Sequence, residues 1–282
     1  MNQVKPVNEL LQLENKNVLI TGGAGFLGYY FCEAVIEMGG NPIILDLKVE
    51  DIDSAKQRLK DNKNTDIEGY TIDLTNPSSI VDTISNVIKD VKKIDCLING
   101  AAFAMKNLQD DGRDFFAPFE TYEKDLWQVS LDVNLTGTFL ITQQVGAHMK
   151  ENQSGSIVNI ASDVAVISPD HRIYQKDSRF DYEGVPFNTP IAYSVTKAGI
   201  LAFTRYLATY WAQDGIRVNS ISPAGVDRNQ DAKFKEQLEY RIPLGRMANA
   251  NELKGPVIFL LSDASSYVTG SNMMVDGGRS IW

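Results

Sequence analysis

Residues 17–46 constrain the fold more than any other stretch. Asn17-Val18-Leu19-Ile20-Thr21 is a short apolar run that leads directly into Gly22-Gly23-Ala24-Gly25-Phe26-Leu27-Gly28. Such a run, bounded by turn residues, reads as a buried strand. Apolar residues then recur at helical spacing through Phe31, Ala34, Val35 and Met38 and stop at Gly39-Gly40. Pro42-Ile43-Ile44-Leu45 is a second apolar run, and it ends in Asp46. Strand, glycine turn, helix, strand and acid, in that order, form the context in which a glycine motif binds a dinucleotide.

The chemistry of the loop follows from its residue types. Glycines at 22, 25 and 28 allow a tight turn and let the backbone approach a pyrophosphate. The helix start that carries Phe26 and Leu27 offers free N–H groups and a positive partial charge. Asp46 stands 18 residues after Gly28, close to the ~20 expected of an acid that holds the adenosine ribose hydroxyls. Its charge repels a 2′-phosphate, and Leu47 follows it where an arginine would suit one, so NAD is favoured over NADP. Lys48 keeps the NADP alternative open.

The alternation continues along the chain. Residues 51–63 place Ile52, Ala55 and Leu59 on one helical face, and residues 70–73 read as a third strand. Asp73-Leu74 closes that strand where an adenine could rest. Asn76-Pro77 is a helix cap followed by proline at the first helical position, opening a helix to about residue 89. A fourth strand over 94–99 ends in Asn99-Gly100-Ala101-Ala102, small residues that let a cofactor lie close. Residues 122–149 carry one long helical pattern, 155–162 a strand ending in Ser162, 190–214 a helix, and 215–222 a strand broken by Pro223-Ala224-Gly225-Val226. A capped helix over 251–262 and a strand over 272–278 complete the chain. Strict β/α alternation with a glycine loop after the first strand specifies an α/β fold, an open, doubly wound parallel sheet in three α/β/α layers. Residues 1–16 are expected as an N-terminal extension on the surface, and 17–282 as a single domain. Its loops at 103–120, 163–190 and 226–246 are expected around the substrate, the last as a charged helical lid.

Within that frame, one stretch carries acid/base chemistry. Tyr193 and Lys197 lie four residues apart in Ile191-Ala192-Tyr193-Ser194-Val195-Thr196-Lys197, on one helical face. A tyrosine hydroxyl titrates near ~10, too high for a base at neutral pH. A neighbouring ammonium favours the phenolate and lowers that value.

Composition excludes several other functions. A net charge of -9 argues against a nucleic-acid surface. No apolar run reaches the ~20 residues that span a bilayer, and residues 1–17 mix Lys5, Glu9, Glu14 and Lys16 with leucines, unlike a signal peptide. Cys32 and Cys96, far apart in apolar surroundings, read as core residues in a reducing compartment. With only His148 and His171, no metal site is expected. A cytoplasmic enzyme is the resulting expectation.

Taken together and in order, several stretches resemble the short-chain dehydrogenase/reductase family. They are Thr21 to Gly28, Asp46, Asp73-Leu74, Asn99 to Ala102, Asn134, the strand ending in Ser162, Tyr193-x-x-x-Lys197, Arg217 to Pro223, Pro243-Leu244-Gly245-Arg246 and Val275-Asp276-Gly277-Gly278. The resemblance covers about residues 15–282 and implies a Rossmann fold with NAD as cofactor. It implies Ser162, Tyr193 and Lys197 as the catalytic set, with Asn134 completing a proton relay by holding a water behind Lys197. Tyr193 would be the general base in oxidation and the acid in reduction. Lys197 would bind the nicotinamide ribose, and Ser162 would hydrogen-bond the reacting oxygen. The cofactor would lie along Gly22, Gly25, Phe26, Leu27, Gly28, Asp46, Asp73, Leu74, Asn99, Ala101, Tyr193, Lys197, Pro223, Gly225 and Val226.

Three positions depart from the family pattern. The glycines also read as Gly23-x-Gly25-x-x-Gly28, the spacing of the epimerase/dehydratase branch, and Phe26 stands where the single-domain branch has its usual glycine. Gly100 replaces a common second asparagine, and Arg228 stands near the usual place of a threonine close to the nicotinamide carboxamide.

The 103–120 and 163–190 loops leave the carboxyl ends of strands, where ligands bind in such sheets. Asp163, His171 and Arg172, with Asp170 and Lys176, suit hydroxyls, carboxylate or phosphate. Pro169 to Tyr174 with Ser162-Asp163 also resembles members of the family from bacterial surface-sugar and flagellin-modification pathways. The expected activity is NAD-dependent oxidation or reduction of a sugar, sugar phosphate, sugar acid or nucleotide-sugar. An epimerase or dehydratase that retains its NAD, and a non-catalytic NAD-binding regulator, are the alternatives. The resemblance implies a homotetramer, or a homodimer, with the helices around 122–149 and 190–213 at interfaces.

Overall fold

The structure, a computed structural model, describes residues 5–103, 116–171, 181–182, 185–186, 189–230 and 232–282. Seven parallel strands form one sheet: β1 (Asn17–Thr21), β2 (Asn41–Asp46), β3 (Glu68–Thr71), β4 (Cys96–Asn99), β5 (Gly155–Ile160), β8 (Ile216–Pro223) and β9 (Asn272–Val275). Their order is β3-β2-β1-β4-β5-β8-β9, so β1 pairs with β2 on one side and β4 on the other. Because all run parallel, every carboxyl end lies along one edge. The order reverses between β1 and β4, where the diverging connections open a crevice for a ligand.

Successive residues of a strand face opposite sides, and the core divides accordingly. Val18 and Ile20 of β1 face a cluster that includes Phe31, Val35, Val257 and Leu260, from α2 (Phe26–Glu37) and α9 (Lys254–Leu261). Leu19 faces the other cluster, with Ile84 of α4 (Pro77–Val91), Ile141 and Val145 of α6 (Thr138–Glu151) and Leu207 of α7 (Ile191–Tyr210). Helices cover both faces, which gives the three layers expected.

The remaining elements show where the sequence expectations need adjustment. The third strand begins at Glu68, so Ile72 and Asp73 fall in the turn after it. The pattern over 122–149 is not one α-helix. α5 (Lys124–Leu131) passes through a π turn, Asp132–Gly137, before α6 begins. Among its described residues, the charged stretch 226–246 is helical over α8 (Ala232–Glu239). The capped helix expected from residue 251 has Asn249 as its cap, whose side chain and Glu252 form a reciprocal capping box ahead of α9. Two-residue strands β6 (Asp181–Tyr182) and β7 (Val185–Pro186) pair antiparallel within the 163–190 loop. The N-terminal extension contains α1 (Val7–Leu10), none of whose residues is buried, and Leu13 after it anchors the segment. Leu13 is fully buried and its N–H donates to the Met38 carbonyl at 2.8 Å.

Candidate active site

The glycine loop forms a cradle that side chains would fill. A Cβ on Gly28 would lie 2.1 Å from the Gly22 carbonyl oxygen, and one on Gly22, whose φ is +66°, would lie 2.9 Å from the Ala101 Cα. The loop is thus pressed against the Gly100-Ala101 turn after β4, at the crevice. No side chain caps the start of α2, which leaves its first-turn N–H groups and positive end available to an anion. Asp46 ends β2 beside the loop. Its Oδ2 accepts the Ala24 N–H at 3.0 Å and its Oδ1 the Leu47 N–H at 2.8 Å. Burial pushes this carboxyl above its ordinary range, while the two backbone donors pull it down. Backbone room, a free helix start and an oriented carboxylate fit a dinucleotide.

Two departures from the family pattern meet in space. The Arg228 guanidinium lies 4.7 Å from the centroid of the Phe26 ring, at the first residue of α2. This stack places a cation next to the glycine loop.

The residues expected as the catalytic set converge at the carboxyl end of β5. Ser162 follows the strand by two residues, and α7 brings Tyr193 and Lys197 against it one turn apart. Ser162 hydrogen-bonds Tyr193. The Lys197 ammonium lies 5.7 Å from the Tyr193 ring centroid and donates to the Ile160 carbonyl at 2.6 Å. Asn134 sits on the π turn; its Oδ1 accepts the Phe103 N–H at 2.6 Å and its Nδ2 donates to Thr196 Oγ1 at 3.4 Å. A buried polar ladder backs the cluster. Asn99 Nδ2 donates to Thr142 Oγ1 at 2.9 Å and Asn159 Oδ1 at 2.8 Å, and Asn159 Nδ2 to Thr204 Oγ1 at 2.9 Å. The ladder ties β4 and β5 to α6 and α7, so the helix that carries Tyr193 is fixed relative to the strand that delivers Ser162.

The electrostatics differ from the simple expectation for the pair. Burial pushes the Tyr193 hydroxyl above its ordinary value, the bond from Ser162 pulls it down, and the Asp163 charge adds to the rise. Lys197 does not set the direction, because its ammonium is drawn to Ile160. Burial in turn lowers Lys197 to about 8. The pair therefore holds two titratable groups whose ordinary values differ little but whose environments move them in opposite directions.

The other expected residues fall in several places. Asp73 accepts from the Thr75 N–H at 2.8 Å and hydroxyl at 2.7 Å within its own turn, and Leu74 is buried against Gly137 of the π turn. Pro223 ends β8. Gly225 is required by packing of a different kind: a Cβ there would lie 2.4 Å from Leu238 of α8. The Val226 carbonyl accepts from Gln230 at 2.8 Å. Asp163, foreseen as a substrate contact, is buried and holds Ser162, the Val164 N–H and Arg279. His171 is exposed, and Arg172 lies outside the described residues. Sequence reasoning missed Arg279, the polar ladder and the stack of Arg228 on Phe26. Asn159 inside an apolar strand was the available signal for the ladder.

A family model described as short chain dehydrogenase matches residues 16–174, and one described as Enoyl-(Acyl carrier protein) reductase matches residues 180–280. The chain belongs to the short-chain dehydrogenase/reductase family. It is 29% identical over 275 residues to a D-threitol dehydrogenase of Mycolicibacterium smegmatis, covering 96% of this chain and 95% of that protein. It is 28% identical over 268 residues to a post-translational flagellin modification protein A of Campylobacter coli, covering 94% and 98%. A short chain dehydrogenase from Leptospira borgpetersenii with bound NAD+ superposes with a TM-score of 0.81 at 35% identity, covering 100% and 98% of the two chains. A gluconate 5-dehydrogenase from Burkholderia cenocepacia in complex with NADP and tartrate gives 0.83 at 26% identity, covering 98% and 99%.

Proposed function

We propose that this chain is an NAD-dependent dehydrogenase. It would move a hydride between nicotinamide and the carbinol carbon of a small polar substrate: a sugar, sugar phosphate, sugar acid or nucleotide-sugar. The convergence of Ser162, Tyr193 and Lys197 beside the glycine cradle is the observation that carries this reading. Bound NAD supplies the hydride acceptor. The chain's own residues handle the proton. In oxidation Tyr193 takes it from the substrate hydroxyl, and in reduction gives it back. The Lys197 ammonium favours the phenolate electrostatically and donates to the nicotinamide ribose. Ser162 orients the reacting oxygen and stabilises the charge that develops on it. Asn134 holds a water that passes the proton out behind Lys197.

Asp46 supports NAD. Its carboxylate, oriented by the Ala24 and Leu47 N–H groups, suits two ribose hydroxyls and repels a phosphate. Relatives named for threitol and gluconate support a polyhydroxylated substrate. The test is NADH absorbance over a panel of polyols, sugar acids, sugar phosphates and nucleotide-sugars, run with NAD and with NADP. Steady NADH formation separates this reading from an epimerase or dehydratase with retained NAD, which rests on the glycine spacing alone. Activity confined to apolar alcohols overturns the substrate class. Tyr193→Phe is expected to lower kcat by about 10²–10⁴-fold with NAD affinity unchanged; unaltered turnover would point to a regulator or to another base.

A further inference from the structure

The C-terminal segment reaches the residue next to Ser162. Gly277 and Gly278 have φ of +62° and +89°, a left-handed pair that reverses the chain after β9. The Asp276 carboxylate caps the turn, accepting the Gly278 N–H at 3.0 Å and the Ser280 N–H at 2.9 Å. The turn delivers Arg279, whose side chain is 10% exposed, to the Asp163 carboxylate, 4% exposed and 116 positions earlier. The other carboxylate oxygen of Asp163 accepts the Ser162 hydroxyl at 2.9 Å and the Val164 N–H at 2.8 Å. A second tether runs in parallel: Arg241 Nε donates to Asp170 at 2.8 Å, and the Trp282 indole N–H donates to the Arg241 carbonyl at 3.2 Å.

A serine hydroxyl has one proton and can direct it only one way at a time. Here that proton is on Asp163, which anchors the Ser162 oxygen in place until the hydroxyl turns its proton to the reacting oxygen as charge develops there. We propose that Asp163 and Arg279 are positioning residues for Ser162: the guanidinium holds the carboxylate, and the carboxylate fixes the rotamer from which the serine hydroxyl reaches the reacting oxygen. A buried carboxylate without its cation would move toward solvent or take up a proton, and either change releases Ser162. Neither residue touches substrate; both act through the serine. The inference rests on the dehydrogenase reading above.

A double-mutant cycle on Asp163 and Ser162 tests it, with the substrate that the panel identifies. Asp163→Asn is expected to lower kcat by roughly tenfold or more with little change in KM or NAD affinity. In a Ser162→Ala background the same substitution is expected to add nothing, because residues that act as one unit are not additive. Arg279→Lys, which keeps the charge, should retain activity to within about threefold, and Arg279→Met should match Asp163→Asn. Full additivity with Ser162→Ala overturns the proposal, as does a rise in KM at unchanged kcat, which would place Asp163 on the substrate. If Asp163→Asn alone fails to fold, Asp163→Asn/Arg279→Gln, which leaves no unpaired charge, takes its place in the cycle under the same criteria. A wild-type chain that reduces neither NAD nor NADP with any of the panel overturns the functional reading and this inference together; an additive cycle in an active enzyme overturns this inference alone.

Discussion

A buried ammonium is expensive, and Lys197 keeps one beneath the active site. Among the described residues it donates to the Ile160 carbonyl, and burial lowers it to about 8 from an ordinary value of 10.5. Below about 8 both the folded and unfolded chains hold this proton, and the folded state bears the full cost of burying the charge. Between about 8 and 10.5 the unfolded chain binds more protons than the folded one, so stability gains with rising pH. Lys197→Met removes the charge. Its Tm relative to wild type is therefore expected to be highest near neutrality and to fall by several degrees between about pH 8 and pH 10, measured by thermal denaturation. The same variant should lose about 10²–10⁴ in kcat. A Tm difference that is flat across that range would mean the ammonium is not desolvated.

Asp46 offers a second test at this scale. Asp46→Ala removes the proposed repulsion of a 2′-phosphate along with the proposed partner of two ribose hydroxyls. The ratio of kcat/KM for NADP over NAD is expected to rise by at least about tenfold, corresponding to roughly 1.4 kcal/mol. An unchanged ratio would mean that another group, such as Lys48, sets the cofactor.

Among the elements, the π turn at Asp132–Gly137 organises the site's interior. Such single wide turns often occur at functional positions. Here the turn directs Asn134 at Phe103 and Thr196 and brings Gly137 against the turn after β3. A Cβ at Gly137 would lie 2.7 Å from the Leu74 Cβ and 2.8 Å from its carbonyl oxygen. Both belong to a packed turn that cannot yield easily. Gly137→Ala is expected to destabilise the chain by about 1–3 kcal/mol and to weaken NAD binding, read by fluorescence titration, because the Asp73-Leu74 turn must shift. Retained stability and affinity would show that the turn can relax.

The same element marks the limit of reading structure from sequence. Apolar spacing located all seven strands of the main sheet and most helices, because burial on two faces dictates period. It could not show a π turn, since the apolar face continues across it. β6 and β7, two residues each, are too short to carry a period. The helical turn before α9 starts at Ala250 because Asn249 caps it, a choice set by the reciprocal bond with Glu252.

At the scale of the whole molecule, Tyr193, Lys197 and Ser162 were legible because local spacing and strand ends encode them. Arg279 and Leu13 were not, since their partners are fixed by the path of the entire chain. Assembly is the next level of the same problem. Phe139 of α6 and Val195, Tyr206 and Tyr210 of α7 remain 46%, 40%, 66% and 59% exposed on the single chain. The Tyr206 and Tyr210 rings stack at 6.0 Å, and Phe139 meets Phe203 edge-on at 6.5 Å. These are the helices at which the family resemblance implies a subunit interface, and a surface that exposes several aromatic side chains together is a common mark of one. If the rings pack between subunits, light scattering should return a homotetramer, four times the 31.3 kDa of one chain, or a homodimer. Tyr206→Glu/Tyr210→Glu should lower that mass, since two charges at an apolar interface must be desolvated on association. Because neither residue touches the catalytic cluster, NAD affinity should hold while thermal stability falls. A wild-type chain that stays monomeric, or a double variant of unchanged mass, would remove these helices from the interface and leave the aromatic face to some other partner.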